Sequence, residues 1–288
     1  MPEIQNSFDY SIPLCDYHVH TLHSPDCRVS MDERCKAAIA SGIEEICFTD
    51  HIEFDPRDPA YKHFNFEDYR RDFEECQKKW GDRLSLRMGV EVNYFVGGEE
   101  EILEFLAGKG FDFVLGSYHW LGDIPISPEL FDQIGPNKTC EIYFHGLLKA
   151  AESGLFDSLA HFDLPKRYAF RAHAPFPVDD FRDIIVEILR RMVEKGTALE
   201  INTSGLRTDL NETLPGREII ELYHQLGGRT ITIGSDSHRL HDLGFGMDRA
   251  LDLARRAGFS EVATFKDRKM RLIPIEEPRK EMTGSRSE

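Results

Sequence analysis

Histidines and carboxylates recur in this sequence where short apolar stretches end. The segment CDYHVHTLHSPDC carries His18 and His20 two positions apart and places Asp26 in the polar stretch that follows. Alternate residues of a β-strand point to the same side of it, so both imidazoles of this pair can reach one ion. Neutral imidazole and ionised carboxylate together form a metal-ligand set. The segment therefore predicts part of a metal site.

The same residue types end most of the other apolar stretches. A single histidine at such a position most often only satisfies a local hydrogen bond, so by itself it is weak evidence. The whole set is strong evidence, because the C-terminal ends of the parallel strands of a barrel meet on one face. The further candidate ligands are His51, Glu91, His119, His161, Asp236 and His238. The remaining histidines are predicted to be surface, helix or loop residues, although His23 and His241 lie near enough to the site to stay open.

Short apolar strands alternate with amphipathic helices along the chain. The predicted strands cover residues 14–20, 44–51, 84–92, 111–119, 156–163, 197–204 and 230–238. Between them, apolar residues at i, i+3 and i+4 predict helices, and Ser30 with Glu33 forms a capping box before the first one. Alternation of this kind predicts a parallel sheet. Seven units favour a closed barrel, while the pattern alone also allows an open sheet. Residues 120–140 are predicted to be a longer loop over one end of the barrel.

Composition and length suit one large domain or two small ones and indicate no membrane segment. The chain has 288 residues, of which 41% are hydrophobic and 30% charged. One barrel domain is predicted over residues 1–275, followed by a polar, disordered tail at 276–288. No apolar run approaches the ~20 residues that a bilayer requires. The N-terminus has no signal-peptide pattern, so a cytoplasmic location is expected.

Charge and cysteine content limit the possible partners. The net charge of −16 argues against a long nucleic acid as a partner. It allows a small phosphorylated substrate, because bound metal ions can make the electrostatic potential at the site positive. The six cysteines include no CxxC pair and are predicted to be reduced, with Cys15 and Cys47 packed in the core. The oligomeric state is not defined by the sequence.

Several segments resemble the PHP (polymerase and histidinol phosphatase) superfamily. The similar segments are HVHTLHSPD, ICFTDHIEF, RMGVEVNY, GSYHWL, AHFDLPKRY, INTSGLR and GSDSHRLHDLG. Within the superfamily they are most similar to histidinol-phosphate phosphatases of the PHP type, from about Asp16 to Gly258. The resemblance implies an α/β fold, a distorted (β/α)7 barrel of parallel strands with its metal site at the C-terminal strand ends. It also implies three divalent metal ions, which are manganese, iron or zinc.

The resemblance further implies how the ligands are shared. His18, His20, Glu91 and Asp236 would hold the first metal. Glu91 would bridge to a second metal completed by His119 and His161, and Asp26, His51 and His238 would hold the third. Relatives often have histidine where this chain has Asp26. Aspartate is a hard ligand that adds a negative charge, which favours manganese or iron.

The hypothesis drawn from these residues is that the chain hydrolyses a phosphate monoester. The resemblance implies that this substrate is L-histidinol phosphate, in histidine biosynthesis. In this reaction, a metal-bridging hydroxide attacks phosphorus. Glu91, Asp236 and His238 are the predicted catalytic residues, and a metal-ligating Asp or His, or water, protonates the leaving alcohol. In the resembling enzymes, basic residues at the places of Arg167 and Arg207 contact the phosphate. The wider set of substrate candidates adds Lys166 and Arg239 for the phosphate, and Glu53, Asp163, Tyr94, Phe95 and Trp120 for the histidinol moiety.

Three alternatives remain at this point. The substrate could be another small phosphoester or a nucleotide, since a fold does not fix the substrate. A C–N hydrolase of the amidohydrolase group would usually supply a bridging lysine at the fourth strand end, where this chain has His119. An inactive metal-binding module would typically have lost ligands, whereas this chain keeps a full set.

Overall fold

The computed structural model describes residues 14–122 and 124–275. Its strands are β1 Leu14–Val19, β2 Ile43–Phe48, β3 His51–Ile52, β4 Ser85–Asn93, β5 Phe113–Ser117, β6 Trp120–Leu121, β7 Ile124–Pro125, β8 Ser158–Leu159, β9 Ala198–Asn202, β10 Ile231–Gly234, β11 Glu261–Lys266 and β12 Lys269–Pro274. Its α-helices are α1 Met31–Ala40, α2 Phe66–Trp80, α3 Glu99–Leu106, α4 Pro128–Ile134, α5 Pro136–Ser153, α6 Pro165–Arg171, α7 Arg182–Lys195, α8 Arg217–Gln225 and α9 Met247–Arg256. Short 3-10 helices cover Val178–Phe181, Ser204–Arg207 and Leu240–Asp242.

Seven strands of the eight-stranded parallel main sheet follow one another in the order β1, β2, β4, β5, β8, β9, β10, and the short strand β3 pairs with β4 beside this path. The sheet returns on itself through one parallel bridge between Val19 and Ser237, just beyond the end of β10. There the His20 N–H donates to the Ser237 carbonyl at 3.2 Å, and the Ser237 N–H donates to the His18 carbonyl at 3.3 Å. The strands therefore form a nearly closed barrel with helices between them, which confirms the predicted (β/α)7 fold.

The strands and helices form where apolar pattern and capping residues predict them. Every residue of β1, β5 and β9 is buried, as expected for parallel strands covered on both faces. Helix α1 begins at the predicted capping box, in which the Glu33 N–H donates to the Ser30 hydroxyl and the Ser30 N–H donates to the Glu33 carboxylate. Except for β4, the strands of the barrel are shorter than predicted, and β8 has only two residues. Most of the candidate ligands therefore lie in the loops that follow the strands.

Two regions differ from the prediction. Residues 120–140 contain the hairpin β6–β7, helix α4 and the start of α5, and α4 is too short to show a periodic apolar stripe. The hairpin β11–β12 follows the last predicted helix, and Phe265 packs on Phe113 with ring centroids 5.1 Å apart. Its turn residues Asp267 and Arg268 both have positive φ, a conformation for which sequences usually use Asn-Gly. The hairpin was missed because this turn signal is absent.

Other global predictions have mixed outcomes. All six cysteines lie within the described ranges, are buried and form no disulfide, as predicted. Among the described residues, no helix has the length and apolar content needed to cross a membrane. The predicted tail at 276–288 lies outside the described residues. The assignment of residues 1–275 to one domain and the cytoplasmic location stay predictions.

Candidate metal centre

A cavity of about 340 Å³ opens at the C-terminal ends of the strands. Histidines and carboxylates form its floor, and the hairpin β6–β7 contributes Trp120 and Pro125 to its wall. Residues 120–140 thus cover this end of the barrel as predicted, although they are not a simple loop. The predicted ligands that line the cavity are Asp26, His51, Glu91, His119, His161, Asp236 and His238.

The predicted ligands of the first metal converge beneath this cavity. His18 Nε2 lies 3.4 Å from Glu91 Oε2 and 3.7 Å from Asp236 Oδ1. His20 Nε2 lies 3.6 Å and 3.5 Å from the same two oxygen atoms. The ligand atoms of His18, His20 and Asp236 all lie within 4.8 Å of one another. Two imidazole nitrogens and two carboxylate oxygens therefore lie at the spacing expected of ligands that share one metal ion.

Glu91 also reaches the predicted second cluster with its other oxygen. Glu91 Oε1 lies 3.1 Å from His161 Nε2 and 3.5 Å from His119 Nε2. The two imidazole nitrogens are 3.4 Å apart. Glu91 thus faces the first cluster with one oxygen and the second with the other, which is the geometry of a bridging carboxylate.

The predicted third cluster lies on the open side of the cavity. Asp26 Oδ2 is 3.1 Å from His238 Nε2 and 3.6 Å from His51 Nε2. The other imidazole nitrogen of His51 is 2.9 Å from Glu91 Oε2, and the ligand atoms of His51 and His238 group with His20 within 4.8 Å. The three clusters are therefore contiguous. His51 can belong to the third cluster with His238 or group with Glu91 and His119.

The site contains buried polar atoms that metal ions would satisfy. His18 Nε2, His20 Nε2 and Glu91 Oε2 are inaccessible to solvent and make no well-aligned hydrogen bond, although His51 Nδ1 lies 2.9 Å from Glu91 Oε2. Leaving buried polar groups unpaired is costly, so native proteins rarely do so without a ligand or water. All three atoms face the same point, and their chemistry suits zinc, manganese or iron. The residues of this site therefore fit the predicted metals.

The charges of the cluster oppose one another in the metal-free chain. Burial lowers the pKa of His18, but the carboxylates of Glu200, Glu91 and Asp236 outweigh burial and hold this pKa well above its usual value. Burial would raise the pKa of Glu91, yet His18 and His51 hold it well below its usual value. Burial and the neighbouring His238 and His51 lower the pKa of His20. A divalent cation that binds here would therefore compete with protons for the imidazoles whose pKa is raised.

Two of the predicted ligands occupy strained backbone conformations. His161 has a φ of 29° and Asp236 a φ of 53°, both in the left-handed region that favours glycine. Such residues cost roughly 1–3 kcal/mol each and cluster at functional sites. The His161 N–H donates to Glu200 Oε2 at 2.7 Å, and the Asp236 carbonyl accepts from Arg207 Nη2 at 2.9 Å. Hydrogen bonds to the backbone thus hold both ligands in place.

The sequence interpretation missed Glu200, a buried carboxylate in β9. Its Oε1 lies 2.7 Å from His18 Nδ1, and its Oε2 accepts the His161 N–H and, at 3.0 Å, the Asn202 side-chain amide. A carboxylate on Nδ1 fixes the tautomer that leaves Nε2 free for a metal. A charged residue inside the buried strand ALEIN was the available signal, because a buried acid needs partners.

A second missed carboxylate orients His20. The hydroxyl of Ser24 lies 3.1 Å from His20 Nδ1 and donates to Asp50 Oδ1 at 2.6 Å. Asp50 also accepts from the Thr21 N–H at 2.6 Å and from the Thr21 hydroxyl at 2.7 Å. Asp50 therefore fixes the loop after β1 and, through Ser24, the orientation of the His20 ring.

Among the four predicted phosphate-binding cations, Arg167 alone lines the cavity. Its Nη2 lies 3.5 Å from Asp236 Oδ2 and donates to the Ser204 hydroxyl. Its Nε is buried and has no partner. The guanidinium thus lies beside the predicted metal ligand Asp236 with a free donor, as expected of a phosphoryl-binding group.

The other three cations have different surroundings. Arg207 donates to the carbonyls of Ser235 and Asp236, and burial lowers its pKa. Lys166 Nζ lies 2.9 Å from Asp163 Oδ2 and 3.1 Å from Glu212 Oε2, in a separate cavity of about 630 Å³. Arg239 is exposed. The structure does not bring Lys166 or Arg239 into the metal cavity, and a phosphate-binding role for each of the three stays a prediction.

The candidates for the histidinol moiety also separate. Glu53 and Trp120 line the metal cavity, together with Asp58, which accepts the Trp120 indole N–H at 2.7 Å. Asp163 lines the cavity that contains Lys166, whereas Tyr94 is fully buried and donates to Glu99. Phe95 lines a third cavity. Of the two histidines left open, His23 pairs with Asp72 at 3.1 Å and His241 is mostly exposed, so neither joins the cluster.

Fold and site together define a metal-binding barrel whose ligands come from the ends of successive parallel strands. The family model of the PHP domain matches residues 16–204, and the chain belongs to this family. The chain is 31% identical to the histidinol-phosphatase of Lactococcus lactis, over 88% of this chain and 95% of that protein. It is 30% identical to a probable histidinol-phosphatase of Thermotoga maritima, over 87% and 95% of the two chains.

A solved structure agrees with these sequence comparisons. The crystal structure of histidinol phosphate phosphatase from Lactococcus lactis, complexed with zinc, L-histidinol and phosphate, matches with a TM-score of 0.78 and 30% identity. The match covers 91% of this chain and 100% of that chain. The resemblance predicted from the sequence motifs is thereby confirmed.

Proposed function

We propose that this chain is a metal-dependent phosphate monoester hydrolase that converts L-histidinol phosphate and water into L-histidinol and phosphate, a step of histidine biosynthesis. The observation that carries the proposal is the convergence of the nine predicted ligands, Glu91 among them, into one cluster beside the guanidinium of Arg167. The similarity to histidinol-phosphatases over most of both chains supports this substrate above other phosphoesters.

Three divalent ions, manganese, iron or zinc, are proposed as the cofactors. Three contiguous groups of ligand atoms support this number, and zinc is present in the structure of the Lactococcus lactis relative. Bound ions would polarise the phosphoryl oxygens and lower the pKa of water to about 7. Asp26 would contribute a negative charge to the most exposed of the three sites, since its side chain is about half exposed.

Arg167 binds the phosphoryl group in this proposal. A planar guanidinium offers paired donors that match two phosphoryl oxygens, and it stabilises the charge that develops on them during transfer. Its present neighbours Asp236 and Ser204 hold it at the cavity wall. Asp236 Oδ1 and His238 Nδ1 are 3.4 Å apart, and these residues stay candidates, alongside water, to protonate the leaving alkoxide. Arg207 acts on the Asp236 backbone and remains a second candidate for phosphate.

The other wall of the cavity would receive the histidinol moiety. Trp120 supplies an aromatic face and is held by Asp58 through its indole N–H. Glu53 Oε2 is buried without a partner, so an ammonium group could satisfy it. Burial raises the pKa of Glu53, and a cationic ligand would favour its ionised form.

The test is phosphate release from L-histidinol phosphate, nucleoside monophosphates, sugar phosphates and short oligonucleotides, each with manganese, zinc or iron. We expect histidinol phosphate to lead by orders of magnitude in kcat/KM, and elemental analysis to find three metals per chain. Another leading ester would overturn the substrate and retain the metal site. Absence of hydrolysis with every metal, or fewer than two metals per chain, would overturn the hydrolase itself.

A further inference from the structure

Arg34 is a fully buried cation on the inner face of helix α1. It is 0% exposed and shares that face with Met31, Cys35 and Ala38. Within residues 14–122 and 124–275, no carboxylate forms an ion pair with it. A buried charge is costly unless hydrogen bonds compensate it, so the surroundings of Arg34 must supply acceptors.

Those acceptors are three backbone carbonyls from two different loops. Arg34 Nε donates to the His20 carbonyl at 3.0 Å, Nη2 to the Ser237 carbonyl at 2.8 Å and Nη1 to the Arg239 carbonyl at 2.7 Å. Nη2 also lies 3.6 Å from the Cys27 sulfur. One planar fork thus joins the loop after β1 to the loop after β10.

These two loops meet where the barrel closes. Strand β10 pairs with β9 through four residues in register, whereas β1 and the segment after β10 share only one isolated bridge. The Ser237 carbonyl accepts both the His20 N–H of that bridge and the Arg34 guanidinium. The guanidinium therefore supplies cross-links at a junction that the sheet itself joins weakly.

The same junction separates ligands that must act together. His18 near the end of β1 and His20 just after it lie on one side of the junction, and Asp236 and His238 lie on the other. The nitrogen of His20 and the oxygen of Asp236 must stay about as close as their present 3.5 Å to share a metal. A shift of the two loops of about 1 Å would misplace ligands by more than a catalytic site tolerates.

We propose that Arg34 is a positioning residue, which fixes the spacing between the His18/His20 segment and the Asp236/His238 segment through their backbone carbonyls. It contacts neither substrate nor reacting atoms. The inference rests on the proposed metal site and predicts that the shape of the guanidinium, as well as its charge, determines metal affinity.

The test compares Arg34→Lys, Arg34→Gln and Leu189→Ala in the full-length chain. Lysine keeps the charge but loses the fork, whereas glutamine keeps part of the hydrogen bonding without a buried charge. Leu189 is fully buried on α7, so its truncation controls for loss of stability alone. Manganese affinity, metals per chain and the melting temperature are measured without substrate. Then kcat and KM are measured for histidinol phosphate.

We expect both Arg34 variants to bind manganese roughly 10–100-fold more weakly, the range for residues that support metal ligands. We also expect kcat to fall more than KM changes, with partial recovery in excess manganese. Leu189→Ala should lose stability but keep wild-type manganese affinity. Wild-type manganese affinity in both Arg34→Lys and Arg34→Gln would overturn the proposal. Failure of both variants to fold in excess manganese would also overturn it, because Arg34 would then be required for the fold itself. If wild-type protein binds manganese but hydrolyses no ester, the proposed function fails while Arg34 is still judged by affinity.

Discussion

Replacing Glu200 by glutamine should weaken metal binding through a conflict of hydrogen-bond donors. The Glu200 carboxylate accepts from three donors, which are His18 Nδ1, the His161 N–H and the Asn202 amide. Glutamine offers one oxygen and one NH₂ group in the same volume. If the oxygen faces His161, the NH₂ faces His18 and favours the tautomer that is protonated on Nε2, the metal-binding nitrogen. If the oxygen faces His18, the other two donors lose their acceptor.

Either arrangement removes a hydrogen bond to a charged acceptor. Such bonds contribute about 1.5–3 kcal/mol, and about 1.4 kcal/mol corresponds to a factor of ten. The expected loss is therefore roughly 10–100-fold in metal affinity, which agrees with the usual effect of losing a carboxylate behind a metal-binding histidine. Glu200→Gln should still fold, because the volume is unchanged.

The assay is titration of metal-free protein with manganese against a competing chelator, at fixed pH. Glu45→Gln is a matched control, since Glu45 is also buried in the barrel but pairs with Arg87 at 2.6 Å, near the N-terminal ends of the strands. The control should keep wild-type manganese affinity. Affinity in Glu200→Gln within threefold of wild type would refute the tautomer argument, because the donor conflict cannot be avoided without loss.

Glu91→Gln should abolish phosphate release while circular dichroism stays native, because glutamine cannot bridge two metals as a carboxylate does; retained turnover would refute the bridging role. Gly234→Ala should destabilise the protein by about 1–3 kcal/mol, since a Cβ there would lie 2.2 Å from Glu200 Oε1 and 2.4 Å from the His18 Cβ; an unchanged melting temperature would contradict this. Chelation should lower the melting temperature by roughly 5–10 °C if metal was present at about 100 times its Kd. The difference in melting temperature between metal-loaded and metal-free protein should grow as pH rises from 6.5. The pKa values of His18 and His51 are raised in the metal-free protein, so this protein loses their stabilising protons in that range. The deprotonated imidazoles are at the same time free to bind metal. A pH-independent difference would count against protonated ligands in the metal-free state.

The convergence of the candidate ligands could be predicted from the sequence because strand order determines it. Parallel strands direct their C-terminal ends to one face, so a ligand type repeated at those ends must converge whatever the exact strand length. Even β8, which has only two residues, delivers His161 to Glu91. Register errors of a few residues therefore did not affect the predicted metal cluster.

Substrate-binding residues were harder to predict because they follow the strands in elements of unknown shape. The segment after β8 forms helix α6, and successive helix residues point about 100° apart. Lys166 consequently faces Asp163 and Glu212, while its neighbour Arg167 faces Asp236. A sequence pattern that treats both as loop cations cannot separate them.

Supporting residues were missed because their types are ambiguous without contacts. Arg34 reads as a surface residue of an amphipathic helix, yet it lies on the buried face. Asp50 precedes the ligand His51 and, by type, is an equally good ligand candidate, but its oxygens are occupied by Thr21 and Ser24. Only the positions of donors around each group distinguish a metal ligand from the residue that orients it.

The strained ligands explain why these supporting residues are needed. His161 and Asp236 both have positive φ, and one hydrogen bond to the backbone of each comes from a charged side chain, Glu200 and Arg207 respectively. Glu200 also contacts the side chain of the candidate ligand His18, and Arg207 also donates to the neighbouring Ser235 carbonyl. Strain at these two candidate ligands is therefore offset by groups that also position the cluster. It follows that substitutions at these supports should change folding stability and metal affinity together, whereas substitutions in the barrel core should change stability alone.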